Sequence, residues 1–313
     1  MTSAFTSNNT ALTQTFNYQN ATHSYTIKWR SLGNPASPPL IFIHGTPWSS
    51  LVWTPFALSL SRHFHVYLFD NPGFGESPLE IPLPGTTTSS EPSNSRSSKI
   101  TQLDADLARQ SQVFAALFHY WQASDTWAQS PHIIAHDHGG LMSLRAHLLH
   151  NCHYASLCLL NVVAIGPFGQ PLFKAVADNP EQFSQLPDIA IDGILESYIR
   201  NASFYELSKQ DMQMLKEPWL REGGKEGFIR QLCQANYRNT DAVEGRYAEV
   251  GTKLPVKIVW GKQDNWIPVE TAYRLGEALR AKEVAVVENA GHLVMFDQPG
   301  QIGVELGRWL GAV

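Results

Sequence analysis

Long apolar runs are missing from this chain. No stretch of its 313 residues approaches the roughly 20 consecutive apolar residues that a membrane-spanning helix needs, so no membrane partner is expected. An excess of basic residues is missing as well: 23 Lys and Arg stand against 28 Asp and Glu, a net charge of −5. Nucleic-acid binders concentrate positive charge, and this composition argues against that class. Cysteine is scarce. Cys152, Cys158 and Cys233 form no even disulfide framework and no metal-ligand spacing, and they read as reduced thiols of an intracellular protein. The opening MTSAFTSNNT has neither a basic start nor an apolar core, so it does not read as a secretory signal and a cytoplasmic location is expected. The sequons at Asn8, Asn20 and Asn201 then carry little weight.

What is present is an alternation. TQTFNYQ and HSYTIKWRSLG alternate polar and apolar residues as a starting hairpin does. PLIFIHG is different, because Leu40 to Ile43 is continuously apolar, the mark of a strand buried on both faces. FHVYLFD and HIIAHD repeat that pattern, and ASLCLLNVV, VKIVWG and VAVVENAG complete a set of eight strands. Helical periodicity separates them over Leu51–Ser61, Leu103–Ala123, Leu141–His150, Thr271–Ala281 and Gln301–Leu310. The expected fold is α/β: a mostly parallel eight-stranded sheet with helices on both faces. A chain of this length can hold one such domain plus an insertion.

Two segments break the alternation. Residues 83–99 are rich in Ser, Thr and Pro and are expected to form a flexible loop insertion. Residues 166–247 are helical in pattern between two strands, and they are read as a helical cap set into a core made of residues 1–165 and 248–313. Caps exclude water and shape pockets.

The chemistry is expected where strands end. IIAHDHGG brings Asp137 to the end of a buried strand and then turns on glycines. One reading is a helix N-cap, a position that Asp favours. The other is a nucleophile elbow, which needs small residues two places on either side; Ala135 and Gly139 occupy those places. Two further strands end at Asp264 in VWGKQDNWIP and at His292 in VENAGHLVMFDQPGQ. In a parallel sheet, residues just past the strand ends gather on one edge, so nucleophile, histidine and acid are expected to meet there. In IFIHGTPWSS the backbone N–H of Thr46 faces the elbow, and the N–H of His138 offers a second oxyanion donor.

Taken together, HGTPWSSLVW, FDNPGFGES, AHDHGG, WGKQD and AGH resemble the α/β-hydrolase superfamily over about residues 38–300. With aspartate at the elbow, the chain looks like the branch that holds epoxide hydrolases, haloalkane dehalogenases and haloacetate dehalogenases. The resemblance implies an α/β-hydrolase fold and an Asp137–His292–Asp264 triad. An aspartate is ionised at neutral pH, its reference pKa being about 3.9. It displaces a leaving group from saturated carbon and becomes an alkyl ester. His292, oriented by Asp264, then activates the water that hydrolyses the ester.

The leaving group is harder to read. Haloalkane dehalogenases place a Trp directly after the nucleophile, where this chain has His138. Haloacetate dehalogenases place arginines there, and the first arginine here is Arg145. Epoxide hydrolases use cap tyrosines as the acid; QANYRN resembles one such motif and points to Tyr237. Phe183 falls near the place of the other, with Tyr198 and Tyr205 as further candidates. Trp48 is expected at the pocket mouth, Trp53 in the core, and Asn161 either on substrate or closing a turn. An epoxide hydrolase-like activity on an apolar small molecule leads, with haloalkane or haloacid dehalogenation and non-hydrolytic lyase or cyclisation chemistry as alternatives. A ligand-binding protein without turnover would have no use for the triad. No cofactor and no metal are implied, and the sequence gives no indication of oligomeric state.

Overall fold

The computed structural model describes residues 11–84, 105–125, 127–169, 171–234 and 237–313, the side chain of Tyr237 excepted. The expected hairpin is β1 (Gln14–Gln19) against β2 (His23–Leu32), antiparallel, with Gln14 opposite Trp29. The buried strands follow as β3 (Pro39–Ile43), β4 (His65–Phe69), β6 (His132–His136), β7 (Ser156–Leu160), β8 (Val256–Gly261) and β9 (Glu283–Val287). Their order in the sheet is β1-β2-β4-β3-β6-β7-β8-β9, parallel from β4 through β9. A ninth strand, β5 (Ile81–Pro82), pairs with β2. It was not expected, because two residues are too short to show an alternation. Most of the loop read at 83–99 lies outside the described residues.

The continuous apolar runs work because a strand presents alternate residues to opposite faces. Leu40 and Phe42 enter a cluster with Trp53, Ile134 and Leu160, while Ile41 and Ile43 enter another with Phe114, Trp121 and Ile133. Trp53 is fully buried there, as expected. Helices cover both faces: α1 (Thr54–Leu60), α2 (Leu107–Ser124), α3 (His138–Leu149), α10 (Glu270–Ala278) and α11 (Pro299–Leu310).

Between β7 and β8 the chain makes a helical excursion: α4 (Pro171–Asp178), α5 (Pro180–Ser184), α6 (Asp188–Asn201), α7 (Lys209–Leu220), α8 (Gly224–Leu232) and α9 (Tyr247–Lys253). Its apolar residues Phe173, Ile191, Leu195 and Trp219 share one cluster with Trp48, Val52, Leu293 and Val294 of the sheet side. The excursion is also tied by Trp219 Nε1, which donates to the Pro47 carbonyl at 2.9 Å. Among the described residues no helix is long and apolar enough to cross a membrane, and no group of His, Cys, Asp and Glu is placed to hold a metal ion.

Candidate active site

The junction of β6 and α3 explains IIAHDHGG. Asp137 has φ 51° and ψ −129°, a backbone that side-chain-bearing residues rarely adopt, and its side chain makes no capping hydrogen bond to α3. The helix-cap reading therefore fails at the one contact it requires. Instead, Asp137 Oδ2 accepts from the Thr46 N–H at 2.6 Å. The turn needs glycine nearby. A Cβ on Gly139 would lie 2.7 Å from the His44 carbonyl oxygen and 2.8 Å from that of Ile43, and one on Gly45 would lie 2.4 Å from the Asp137 side chain.

The expected partners converge on it. His292 Nε2 lies 3.6 Å from Asp137 Oδ1, and His292 Nδ1 donates to Asp264 Oδ2 at 2.9 Å. Asp264 is locked in place by three more donors: the Asn161 Nδ2 at 2.8 Å and the backbone N–H groups of Trp266 and Ile267 at 2.7 and 3.0 Å. Behind His292, the buried His136 donates from Nε2 to the His292 carbonyl at 2.9 Å. Burial and then the neighbouring His292 push His136 down to about 3, so it stays neutral and fixes the loop that carries His292.

The electrostatics follow from this packing. Burial alone would raise the Asp137 pKa; the imidazoles of His138 and His292 outweigh it and hold the carboxyl well below its usual range. Burial alone would likewise lower His292, yet Asp264 and Asp137 together raise it to about 9. The resting site is a carboxylate–imidazolium pair.

The other candidates separate. Of the two expected oxyanion donors, Thr46 presents its N–H to Asp137, while its hydroxyl accepts from Gln234 of the excursion. His138 opens helix α3, and its ring also stands beside Asp137, with Nδ1 3.3 Å from Asp137 Oδ2 and not aligned for a hydrogen bond. Tyr198 is buried, lines the same cavity as Asp137, and its hydroxyl has no partner. Its ring stacks on Trp266 with centroids 4.3 Å apart.

Three expectations are corrected, and one left open between two readings is resolved. Trp48 is buried behind Trp266, stacked at 5.9 Å, and does not line the mouth. Phe183 packs inside the excursion, and it is Phe173 that reaches the cavity. Tyr205 lies beyond the end of α6, half exposed, with its backbone N–H held by Asp297. Asn161 closes the turn after β7 at φ 43°, and both ends of its amide are used, on Asp264 and on the Gly261 N–H. Tyr237 begins a 3₁₀ turn (Tyr237–Thr240), and its side chain lies outside the described residues.

Sequence reasoning missed the cavity walls. They include Val162–Ile165 after β7, Phe168, Phe173, and Trp266–Pro268, Thr271 and Arg274 after β8. Trp266 carried a usable signal: two places past the acid at a strand end, it had to lie on the same sheet edge.

A mostly parallel sheet flanked by helices, with a sharp strand-to-helix turn at Asp137, is the architecture of the α/β-hydrolase fold. Residues 40–303 match the model of the alpha/beta hydrolase family, and the chain belongs to that family. Among solved structures, an alpha/beta hydrolase fold protein from Burkholderia ambifaria is 34% identical, with a TM-score of 0.79 over 94% of this chain and 97% of that one. A haloalkane dehalogenase, DbeA from Bradyrhizobium elkani, shares the fold at 17% identity and a TM-score of 0.68, over 96% and 98% of the two chains. Curated relatives include lipases and esterases. Pimeloyl-[acyl-carrier protein] methyl ester esterase of Aeromonas salmonicida is 23% identical over 87% of this chain and 94% of its own. Monoacylglycerol lipase abhd6-A of Xenopus laevis is 29% identical over 111 residues, so this chain spans 32% of that protein's length and 34% of its own.

Proposed function

We propose that this hydrolase attacks saturated carbon with Asp137, forms an alkyl ester on that residue, and hydrolyses the ester with water activated by His292. The observation that carries the reading is the carboxylate itself, held ionised at the elbow between the Thr46 N–H and His292. The elbow of lipases and esterases carries serine. Acyl transfer to an aspartate would give an anhydride, a poor resting point for ester hydrolysis. Alkyl transfer gives an ordinary ester. The lipase and esterase relatives therefore support the scaffold better than the substrate.

For the leaving group, ring opening of an epoxide is favoured. A developing alkoxide needs a proton or a strong donor, and Tyr198, whose buried hydroxyl has no partner, lines the same cavity as Asp137. Burial and the Asp137 charge raise its pKa well above the ordinary value, so it remains a hydroxyl, able to donate. The wall is mainly apolar: Val162, Val163, Ile165, Phe168, Phe173 and Trp266. That suits a small molecule with an apolar body, with the helical excursion acting as its cap. Asp264, Asn161 and His136 position His292, and Thr46 and His138 hold the oxyanion when water attacks the ester.

The test is intact-mass spectrometry of His292→Gln incubated with epoxides, haloalkanes and esters. Loss of a general base typically slows a step by about 10²–10⁴, enough for the Asp137 ester to accumulate. An added mass equal to a whole epoxide supports the reading, and an adduct lighter by hydrogen halide makes dehalogenation the chemistry. Conversion by wild type without any adduct on the variant would sink the covalent route.

A further inference from the structure

The floor and the mouth of the cavity differ in charge. Asp137, His138 and His292 at the floor are buried, whereas Arg274 in the wall is exposed, on helix α10 after β8. Thr271, one turn before Arg274 on the same helix face, also lines the cavity. Most of the other lining residues are apolar, including Val162, Val163, Ile165, Phe168 and Phe173.

Arg274 has no ion pair or hydrogen bond among the described residues. Glu270 and Glu277 flank it on the same helix, and neither carboxylate reaches it. Arg145, the arginine nearest the nucleophile in sequence, is committed elsewhere: its Nη1 donates to the Asn239 carbonyl at 2.6 Å and its Nε to Ser111 at 3.3 Å. In a chain of net charge −5, Arg274 is the cationic group among the described lining residues that lies away from the floor imidazoles, and it is suited to hold an anion.

We infer that Arg274 and Thr271 form an anion-recognition subsite at the cavity mouth, and that the substrate is elongated, with its reactive carbon at Asp137 and a carboxylate at Arg274. A guanidinium binds a carboxylate through two parallel N–H bonds, and the Thr271 hydroxyl supplies a third donor. The apolar wall between them takes the body of the molecule. The inference rests on reading this cavity as the substrate site, but not on the ester.

The test uses two unreactive probes, 4-phenylbutanoate and its neutral isostere 4-phenylbutanamide. Calorimetry measures both on wild type, Arg274→Met and Arg274→Glu, with thermal melts checking that the variants remain folded. Wild type is expected to bind the carboxylate roughly tenfold more tightly than the amide, as charge-assisted bonds at a partly exposed site allow. The preference should vanish in Arg274→Met and fall further in Arg274→Glu. Equal affinities on wild type, no binding of either probe, or a preference that survives Arg274→Met would overturn the inference; in the last case the anion sits on the floor imidazoles. Neither probe can alkylate Asp137, so failure of the ester mechanism leaves this result standing and is read separately.

Discussion

The state of His292 should depend on the charge of Asp137, and Asp137→Asn exposes that dependence without any substrate. The two groups are buried, with Nε2 and Oδ1 3.6 Å apart. At an effective dielectric constant of about 20, opposite unit charges at this distance attract by roughly 4.6 kcal/mol, or about 3 pKa units at 1.36 kcal/mol each. Removing the Asp137 charge should therefore lower His292 from about 9 towards its ordinary range near 6.5. Esterification removes the same charge. In the proposed mechanism the imidazolium is no base in the free enzyme at neutral pH, and formation of the ester lets it give up its proton and become one. Nitrogen NMR of the His292 ring against pH measures both forms. Titration in Asp137→Asn within half a unit of wild type would refute the coupling. The sign also applies to stability. A histidine raised above its unfolded value of about 6.5 stabilises the fold fully below that pH, and the contribution is lost as pH rises through about 9. Melting temperature should fall over that window in wild type and fall less in Asp137→Asn.

Two further predictions address the elbow and the acid. Gly139→Ala forces a Cβ to within 2.7–2.8 Å of two backbone carbonyl oxygens; overpacking of this kind costs about 1–3 kcal/mol, and an unchanged denaturation midpoint would contradict the close approach. Tyr198→Phe should slow epoxide opening by about 10²–10⁴ while sparing any alkyl halide that the enzyme accepts, since a halide leaves without a proton. Equal losses on both substrate types would assign Tyr198 to packing instead.

How much of this was legible depends on local period. Leu40–Ile43 and His132–His136 announce buried strands because both faces must be apolar, and the triad follows because Asp137, Asp264 and His292 each sit just past a strand end. Tyr198 is in phase with Ile191 and Leu195 on the buried face of its helix, a signal that distinguishes it from Tyr205 beyond the helix end. Phe173 and Phe183 carry no such distinction. Both fall on short helices, and helical period says which side is apolar, not which apolar residue borders a cavity. Asn161 was ambiguous because asparagine suits both a ligand contact and a left-handed turn. Its positive φ and two amide bonds appear only in three dimensions. Arg274 lies on an exposed helix face, where a pocket-lining arginine looks like any solvated one.

The central claim is that an oxygen of Asp137 leaves with the product. It is tested by one turnover in ¹⁸O-labelled water, enzyme in excess over a substrate that wild type converts, followed by mass analysis of product and of the peptide containing Asp137. Unlabelled oxygen is expected in the newly formed product hydroxyl, and one ¹⁸O in the Asp137 carboxylate. Label in the product and none in the peptide would mean that water attacks the substrate directly, and the ester mechanism would be wrong.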